Sequence, residues 1–323
     1  MVSEVYFIKD KFDEKIPELL KKLCNNFSKV GIKVHFGEAG NVTYLPPKYV
    51  KIISDCFDST LIESNVLYKG KRTETKDHLE VAKQHGFDFA PIKILDEEEE
   101  IPINLKYFKK AYLGKNPFRY LIVASHVKGH GCTGLGGAIK NVGMGIASRK
   151  GKLALHANVS PSISKSSCTA CGKCVEDCPT QAIKINGKAK IDPKLCIGCA
   201  KCISVCPERA VNIPWSSIQP EIIAERICEY CFAELKERKA VFVNFLVNLT
   251  KGCDCVGKKM KILGKDIGVL ISKDIVAIDK ASYDICKEKG IDFSKINGVD
   301  SLAQVKYGEK IGLGNSEYKI IEI

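Results

Sequence analysis

The stretch from Cys168 to Pro207 reads CTACGKCVEDCPTQAIKINGKAKIDPKLCIGCAKCISVCP, and it holds the same cysteine pattern twice. Cys168, Cys171, Cys174 and Cys178 followed by Pro179 give C-x2-C-x2-C-x3-C-P. Cys196, Cys199, Cys202 and Cys206 followed by Pro207 repeat it with a period of 28 residues. The repeat outlasts the cysteines, because Ala182 and Ile183 return as Ala210 and Val211, so two pseudo-symmetric halves are expected. Two-residue gaps let three thiolates converge on three irons of one cubane, and in duplicated runs of this kind the last cysteine reaches the other cluster. The expected ligand sets for two [4Fe-4S] clusters are therefore Cys168, Cys171, Cys174 and Cys206 for one, and Cys196, Cys199, Cys202 and Cys178 for the other. Gly172 and Gly198 would relieve crowding beside inorganic sulfide, and each proline would end a ligand run. The competing readings are paired zinc sites, for which eight cysteines in this duplicated spacing are more than needed, and a purely structural cluster.

Outside this segment, which resembles bacterial two-cluster ferredoxins, short apolar runs alternate with helical periodicity. That pattern predicts an α/β fold: a mostly parallel sheet with helices on both faces, plus the inserted small α+β ferredoxin-like module. Strands are expected over 31–36, 120–125, 241–249 and 267–271, and helices over 46–56, 73–85, 137–147, 220–237 and 274–289. In the fourth helix Ile223, Ile227, Cys231 and Leu235 form one buried stripe. The expected division is an α/β domain of residues 1–162 and 214–323 around a two-cluster domain of residues 163–213.

The net charge is +12. From Ile101 to Val175 there is no acid but twelve lysines and arginines, which accounts for the whole excess. The acidic run Asp96–Glu100 just before it reads as a solvated loop. The basic stretch suits an anionic small molecule or an acidic partner surface, and it equally suits charge compensation of anionic clusters. Nucleic acid is the weakest partner, since the interleaved aromatic residues fit strands as well. No run approaches a membrane span and the N-terminal residues do not read as a signal peptide, so a cytoplasmic, reducing location is expected.

Two further segments carry chemistry. SHVKGHGCTGLGGAIKNVGMG follows the strand at 120–125, a position where open α/β sheets bind ligands. Gly129, Gly131 and Gly134 match G-x-G-x-x-G, but the acid that a nicotinamide ribose requires about 20 residues on is missing. What remains is a glycine loop, with Gly136 and Gly137, offering His126, Lys128, His130, Lys140 and Asn141 as anion donors, or else a structural turn. Cys253-Asp254-Cys255 follows the strand at 241–249. In an extended segment both thiols would face one side and could share a metal, with the carboxylate opposite, or they could be unligated loop thiols. Cys228 and Cys231 are read as core residues.

The chain is identified by its sequence strings as a member of the family catalogued as domain of unknown function 362, whose members often carry a ferredoxin module in this place. The strings are KVHFGEAGNVTYLPP from Lys33, LYKGKRTETKDHLEVA from Leu67, KGHGCTGLGGAIKNVGMGIASRKGKLALH from Lys128, and CDC with GVLISKDIVAIDKA from Cys253 onward. The resemblance implies site candidates at His35, Arg72, His126, Lys128, His130, Lys140, Asn141, His156, Cys253 and Cys255. Gly136-Gly137 with Lys140 also distantly resembles the lysine loop of nickel-pincer lactate racemases, with a different spacing and no clear counterpart of that enzyme's other histidine ligands.

The resulting expectation is an iron-sulfur redox protein, an oxidoreductase or reductive activator, in which two clusters relay electrons to a ligand, cofactor or redox partner protein bound by the α/β domain. The catalytic candidates are His126, His130, Lys140 and His156, and the cofactor-binding candidates are His35, Arg72, Lys128, Gly136, Gly137, Lys140 and Asn141. The alternatives are a non-catalytic electron carrier subunit of a larger oxidoreductase, and a metal or cofactor assembly factor using Cys253 and Cys255.

Overall fold

The computed structural model describes residues 2–215 and 217–323. Eight strands form one sheet in the spatial order Tyr318–Glu322, Ser3–Ile8, Gly268–Ser272, Lys239–Leu246, Tyr120–His126, Val30–Lys33, Ser59–Glu63 and Ile92–Ile94. Every neighbouring pair is parallel except the two made by Gly268–Ser272. Parallel strands buried on both faces have no polar side, and the central strands accordingly alternate between two apolar layers. Leu121, Val123, Phe242 and Leu246 enter one layer with helices Pro220–Leu235 and Ile275–Glu288. Ile122, Ala124, Val243 and Phe245 enter the other with Phe12–Leu23, Pro47–Ser54 and Thr75–Gln84. Among the described residues no helix is long and apolar enough to cross a membrane.

Several expected elements shift. The helix read over 137–147 stops at Gly143, which packs so tightly on the Pro220–Leu235 helix that an added Cβ would lie 2.2 Å from the Ile227 carbonyl oxygen. A second helix, Arg149–His156, follows it, with Ser148 accepting from Gly151 N at its N-terminus. The acidic run is not a free loop. Glu98–Pro102 pairs with Lys110–Gly114 in an antiparallel hairpin, because Lys110 meets Glu100 and Lys115 lies 3.6 Å from Glu97.

Residues 162–212 project from the host between two short strands, Ser162–Ile163 and Val211–Asn212, which pair with each other. Inside lie a hairpin of Ile183–Asn186 and Lys188–Ile191 and the short helices Lys173–Glu176 and Lys201–Val205. The period of 28 is carried into the backbone: Ala170 and Gly198, Gly172 and Ala200, and Gln181 and Arg209 are repeat-related, and all have positive φ. Gly172 and Gly198 therefore serve this left-handed turn, with no protein atom closer than 3.8 Å to a Cβ built on either.

Candidate functional site

At the carboxyl ends of the parallel strands a cavity of about 300 Å³ is lined from both halves of the host. His35, Arg72, Lys128, His130, Lys140 and Asn141 line it, as do Gly136, Gly137, His156, Cys253 and Cys255. The lining also includes residues to which the sequence reading gave no role, among them Tyr68, Cys132, Lys152 and Trp215. Lys152 and Tyr68 sit in strings that carried the family resemblance, which was the available signal for them.

His126 is not in the lining. Its Nε2 donates to Val247 O at 2.9 Å and its Nδ1 lies 2.9 Å from Asp254 Oδ2, beneath the cavity floor. Asp254 is fully buried and also holds Lys128 Nζ at 3.0 Å. Burial alone would raise the Asp254 carboxyl pKa, but His126 and Lys128 outweigh it and hold the group below the usual carboxylate range.

The Cys253-Asp254-Cys255 segment is a turn, not an extended strand: Val256 N donates to Cys253 O at 3.0 Å. The carboxylate faces the floor, while both thiols face the cavity. Cys255 donates its backbone N–H to Cys253 Sγ at 3.4 Å. The neighbouring Cys255 thiol, together with Lys140, whose Nζ is 4.0 Å away, and His130, holds Cys253 well below the usual thiol pKa against the effect of burial. The Cys253 sulfur beside it and burial push the Cys255 thiol up. His130 Nδ1 accepts from Cys132 N at 3.1 Å, so the proton of the neutral ring sits on Nε2. Among the described residues no three His, Cys, Asp or Glu side chains converge on a point that could hold a single metal ion. The nearest cation to this pair is Lys140.

The opposite wall is a buried charge network. Lys33, with no exposed surface, meets Glu63 Oε1 at 2.8 Å and Asn141 Oδ1 at 2.8 Å. Asn141 spends its amide on Ala124 O and Ser125 Oγ, at 3.1 and 3.0 Å, which makes it part of the framework. Arg72 donates to Glu38 Oε2 at 3.2 Å and Tyr68 Oη at 2.9 Å, and it faces His35 Nε2 at 3.2 Å. Burial, followed by the Arg72 charge, pushes His35 well below the usual histidine range. Lys152 Nζ donates to Ser64 Oγ and Ala147 O, and burial brings it down to about 7 despite Glu63, with Lys33 and Arg72 pushing the same way. His156 is pushed down to about 3 by burial and by His130, Lys140 and Lys152, and it stands edge-on to Trp215 at 4.7 Å.

Glycine does not cradle a ligand at both positions expected. A Cβ on Gly137 would lie 2.3 Å from Asp279 Oδ1, and Asp279 accepts from Ala138 N and Ile139 N at 2.7 and 2.9 Å. The backbone donors that follow Gly137 are thus taken by a carboxylate of this chain. Gly136 instead faces the lysine stems of Lys140 and Lys128.

Six of the twelve basic residues in the acid-free stretch are paired with acids. Lys106, Lys110, Lys115, Lys128, Arg149 and Lys150 pair with acids from elsewhere. Lys128, Lys140 and Lys152 turn into the cavity, and Lys140 has no carboxylate within 4.0 Å among the described residues. Positive charge is therefore concentrated inside the pocket.

The eight module cysteines fall into two groups. Cys168, Cys171, Cys174 and Cys206 line one small cavity, and Cys178, Cys196, Cys199 and Cys202 line another. The fourth cysteine of each run lies with the first three of the other. Ala182 N donates to Cys178 Sγ at 3.3 Å and its repeat mate Ala210 N to Cys206 Sγ at 3.2 Å, which accounts for the repeat extending past the cysteines. Burial and the neighbouring thiols push Cys202 up to about 12. Cys228 and Cys231 lie fully buried in the core, as read from the helical stripe.

Such an α/β sheet with a cysteine-rich insertion defines the class; the particular family follows from sequence. The chain belongs to the family described as Domain of unknown function (DUF362), whose profile matches residues 30–284. No curated protein matches it. Among solved structures it is similar to a structural-genomics protein from Thermotoga maritima, at 12% identity and a TM-score of 0.42. That match covers 86% of this chain and 59% of the other. It is also similar to the lactate racemase apoprotein from Thermoanaerobacterium thermosaccharolyticum, at 12% identity and a TM-score of 0.44. Here the match covers 90% of this chain and 57% of the racemase, so this chain spans under two thirds of both structures.

Proposed function

We propose that the protein is an iron-sulfur redox protein in which the inserted module delivers electrons to a small anionic ligand held in the host cavity. The observation that carries this reading is a shared wall. Leu153 and Leu67 belong to the module's own apolar core. Leu67 also lines the host cavity, and Leu153 lies on the same helix as the lining residues Lys152 and His156. Lys69 donates to Ser204 O at 3.0 Å, and a Cβ on Gly198 would be 3.9 Å from Leu153 Cδ2, so the second cysteine run is the one that faces the host.

The cysteine groups fit cubane clusters in their chemistry. Each offers four sulfurs spread around a cavity and not converging on one ion point, with backbone N–H groups aimed at Cys168, Cys178 and Cys206. Bound there, the clusters would supply one-electron transfer. The chain's own residues would do the rest: Lys140 neutralises the ligand, Lys152 and His130 stand ready to hold or move a proton, and Trp215 and Leu67 shield the cavity from water. Six of the twelve basic residues of 101–175 are already paired, which favours a ligand inside the cavity over docking through a basic surface.

Iron, sulfide and zinc analysis of anaerobically purified protein, with electron paramagnetic resonance after reduction, tests this. About eight irons and about eight sulfides per chain, with two interacting reduced centres, are expected. Stoichiometric zinc without sulfide would overturn the reading.

A further inference from the structure

We propose that Cys253 and Cys255 form a two-electron dithiol–disulfide couple, charged from the module and discharged onto a small anionic disulfide bound in the adjoining cavity. The charging half rests on the function proposed above, whereas the couple itself stands on the geometry of the turn.

Residues i and i+2 of the turn present their sulfurs to the same cavity. The backbone N–H of Cys255 donates to Cys253 Sγ at 3.4 Å, so the turn already holds the Cys253 sulfur against the residue that carries the second thiol. The turn is fixed from behind, because the Asp254 carboxylate is clamped by His126 at 2.9 Å and Lys128 at 3.0 Å. Glu38 N donates to Asp254 O at 2.9 Å, and Gly257 lets the turn approach Ala39, where a Cβ would lie 2.5 Å from the carbonyl oxygen. A metal site would place a third ligand beside the pair. Here a lysine ammonium and a neutral imidazole donor occupy that side, an environment that stabilises a thiolate and makes it a nucleophile. The sulfur electrophile matched to a thiolate is a disulfide. Lys140, without a carboxylate partner among the described residues, selects an anionic one, and about 300 Å³ limits it to a small molecule.

The steps balance. The Cys253 thiolate attacks one sulfur of the bound disulfide, forming a mixed disulfide and releasing one thiolate. Cys255 then attacks Cys253 Sγ, closes the Cys253–Cys255 bond and gives its proton to the departing second thiol. Uptake of two electrons and one proton by that bond restores the Cys253 thiolate and the Cys255 thiol, and two one-electron centres in the module match the electron count.

The test reads the cysteines directly. Anaerobic holoprotein is exposed to 3,3′-dithiodipropionate or to cystamine, two disulfides of similar length and opposite charge, alkylated, and digested with trypsin. Cleavage after Lys251 and Lys258 frees Gly252–Lys258, whose only cysteines are these two. The expected product is an unalkylated peptide lighter by two hydrogens, formed at least tenfold faster with anionic dithiodipropionate than with cationic cystamine. Lys140→Met should abolish the preference and Lys140→Arg should keep it. A peptide that remains doubly alkylated, or that carries two mercaptopropionate adducts, overturns the couple.

Dithionite should then return the oxidised peptide to the alkylatable form in wild type at least tenfold faster than in a Cys199→Ala variant. A phosphine should do so equally in both. Equal dithionite rates overturn the link to the module and leave the cluster reading to its own iron and sulfide analysis.

Discussion

Asp254→Asn removes the one carboxylate beneath the cavity floor while keeping its shape. Asp254 is fully buried and lies 3.0 Å from Lys128 Nζ, itself 7% exposed. At an effective dielectric of about 20 a pair at that distance attracts by about 5–6 kcal/mol, and stripping a buried charge of its partner typically costs about 3–5 kcal/mol. The variant should therefore lose about 3–5 kcal/mol, read as a lower urea midpoint at unchanged slope at pH 7. Adding Lys128→Met removes the orphaned ammonium and should recover most of that loss, giving a coupling of about 3 kcal/mol in a double-mutant cycle. The sign of the pH dependence follows from the depressed carboxyl pKa. The contribution is complete above the unfolded value of about 3.9 and is lost as pH falls through the folded one. A single-variant cost below about 1 kcal/mol, or a double variant as unstable as the sum of the singles, would refute the pairing argument.

Lys152 binds its proton less tightly folded than unfolded, so stability from this group rises between pH 7 and about 10.4, at up to about 1.4 kcal/mol per pH unit. Lys152→Met should remove that slope from urea midpoints taken across the range. Gly137→Ala drives a methyl group into Asp279 and should cost about 1–3 kcal/mol, whereas Gly131→Ala, with nothing within 4 Å, should stay within about 0.5 kcal/mol in the same titration. Cys228, Cys231 and Cys286 are fully buried and should resist a maleimide in the native protein, while exposed Cys171 in cluster-free protein should react; mass spectrometry of the labelled peptides reads both.

The parts of the fold legible in the sequence were those where periodicity and burial coincide. The central strands at Tyr120 and Gly268, and the helix from Pro220 with its buried Ile223, Ile227 and Cys231, fall into this group. Ser3–Ile8 and Tyr318–Glu322 were missed because each is completed by the other, across more than 300 residues, and neither is apolar enough alone. The helix Phe12–Leu23 was hidden by Pro17. In the site, the strings around Lys128 and Cys253 marked a pocket, but not the roles within it. Whether a polar residue lines a cavity or braces it depends on partners brought in by the sheet. Asn141 and His126 read as ligand donors until Lys33 and Asp254 are placed beside them, and Gly137 read as a cradle until Asp279 reached it.

The two-residue ladder between Ser162–Ile163 and Val211–Asn212 brings the entry and exit of the insertion together as neighbouring strands. To the host, the 47 intervening residues are topologically no more than a long hairpin loop, and a short turn joining Ile163 to Val211 would close the same gap. Such an excision leaves every strand of the eight-stranded sheet in place and uncovers Leu67 and Leu153, which surface polar substitutions could reclothe. Urea unfolding of such an excised chain, compared with the intact one, would measure how much of the host's stability depends on the insertion.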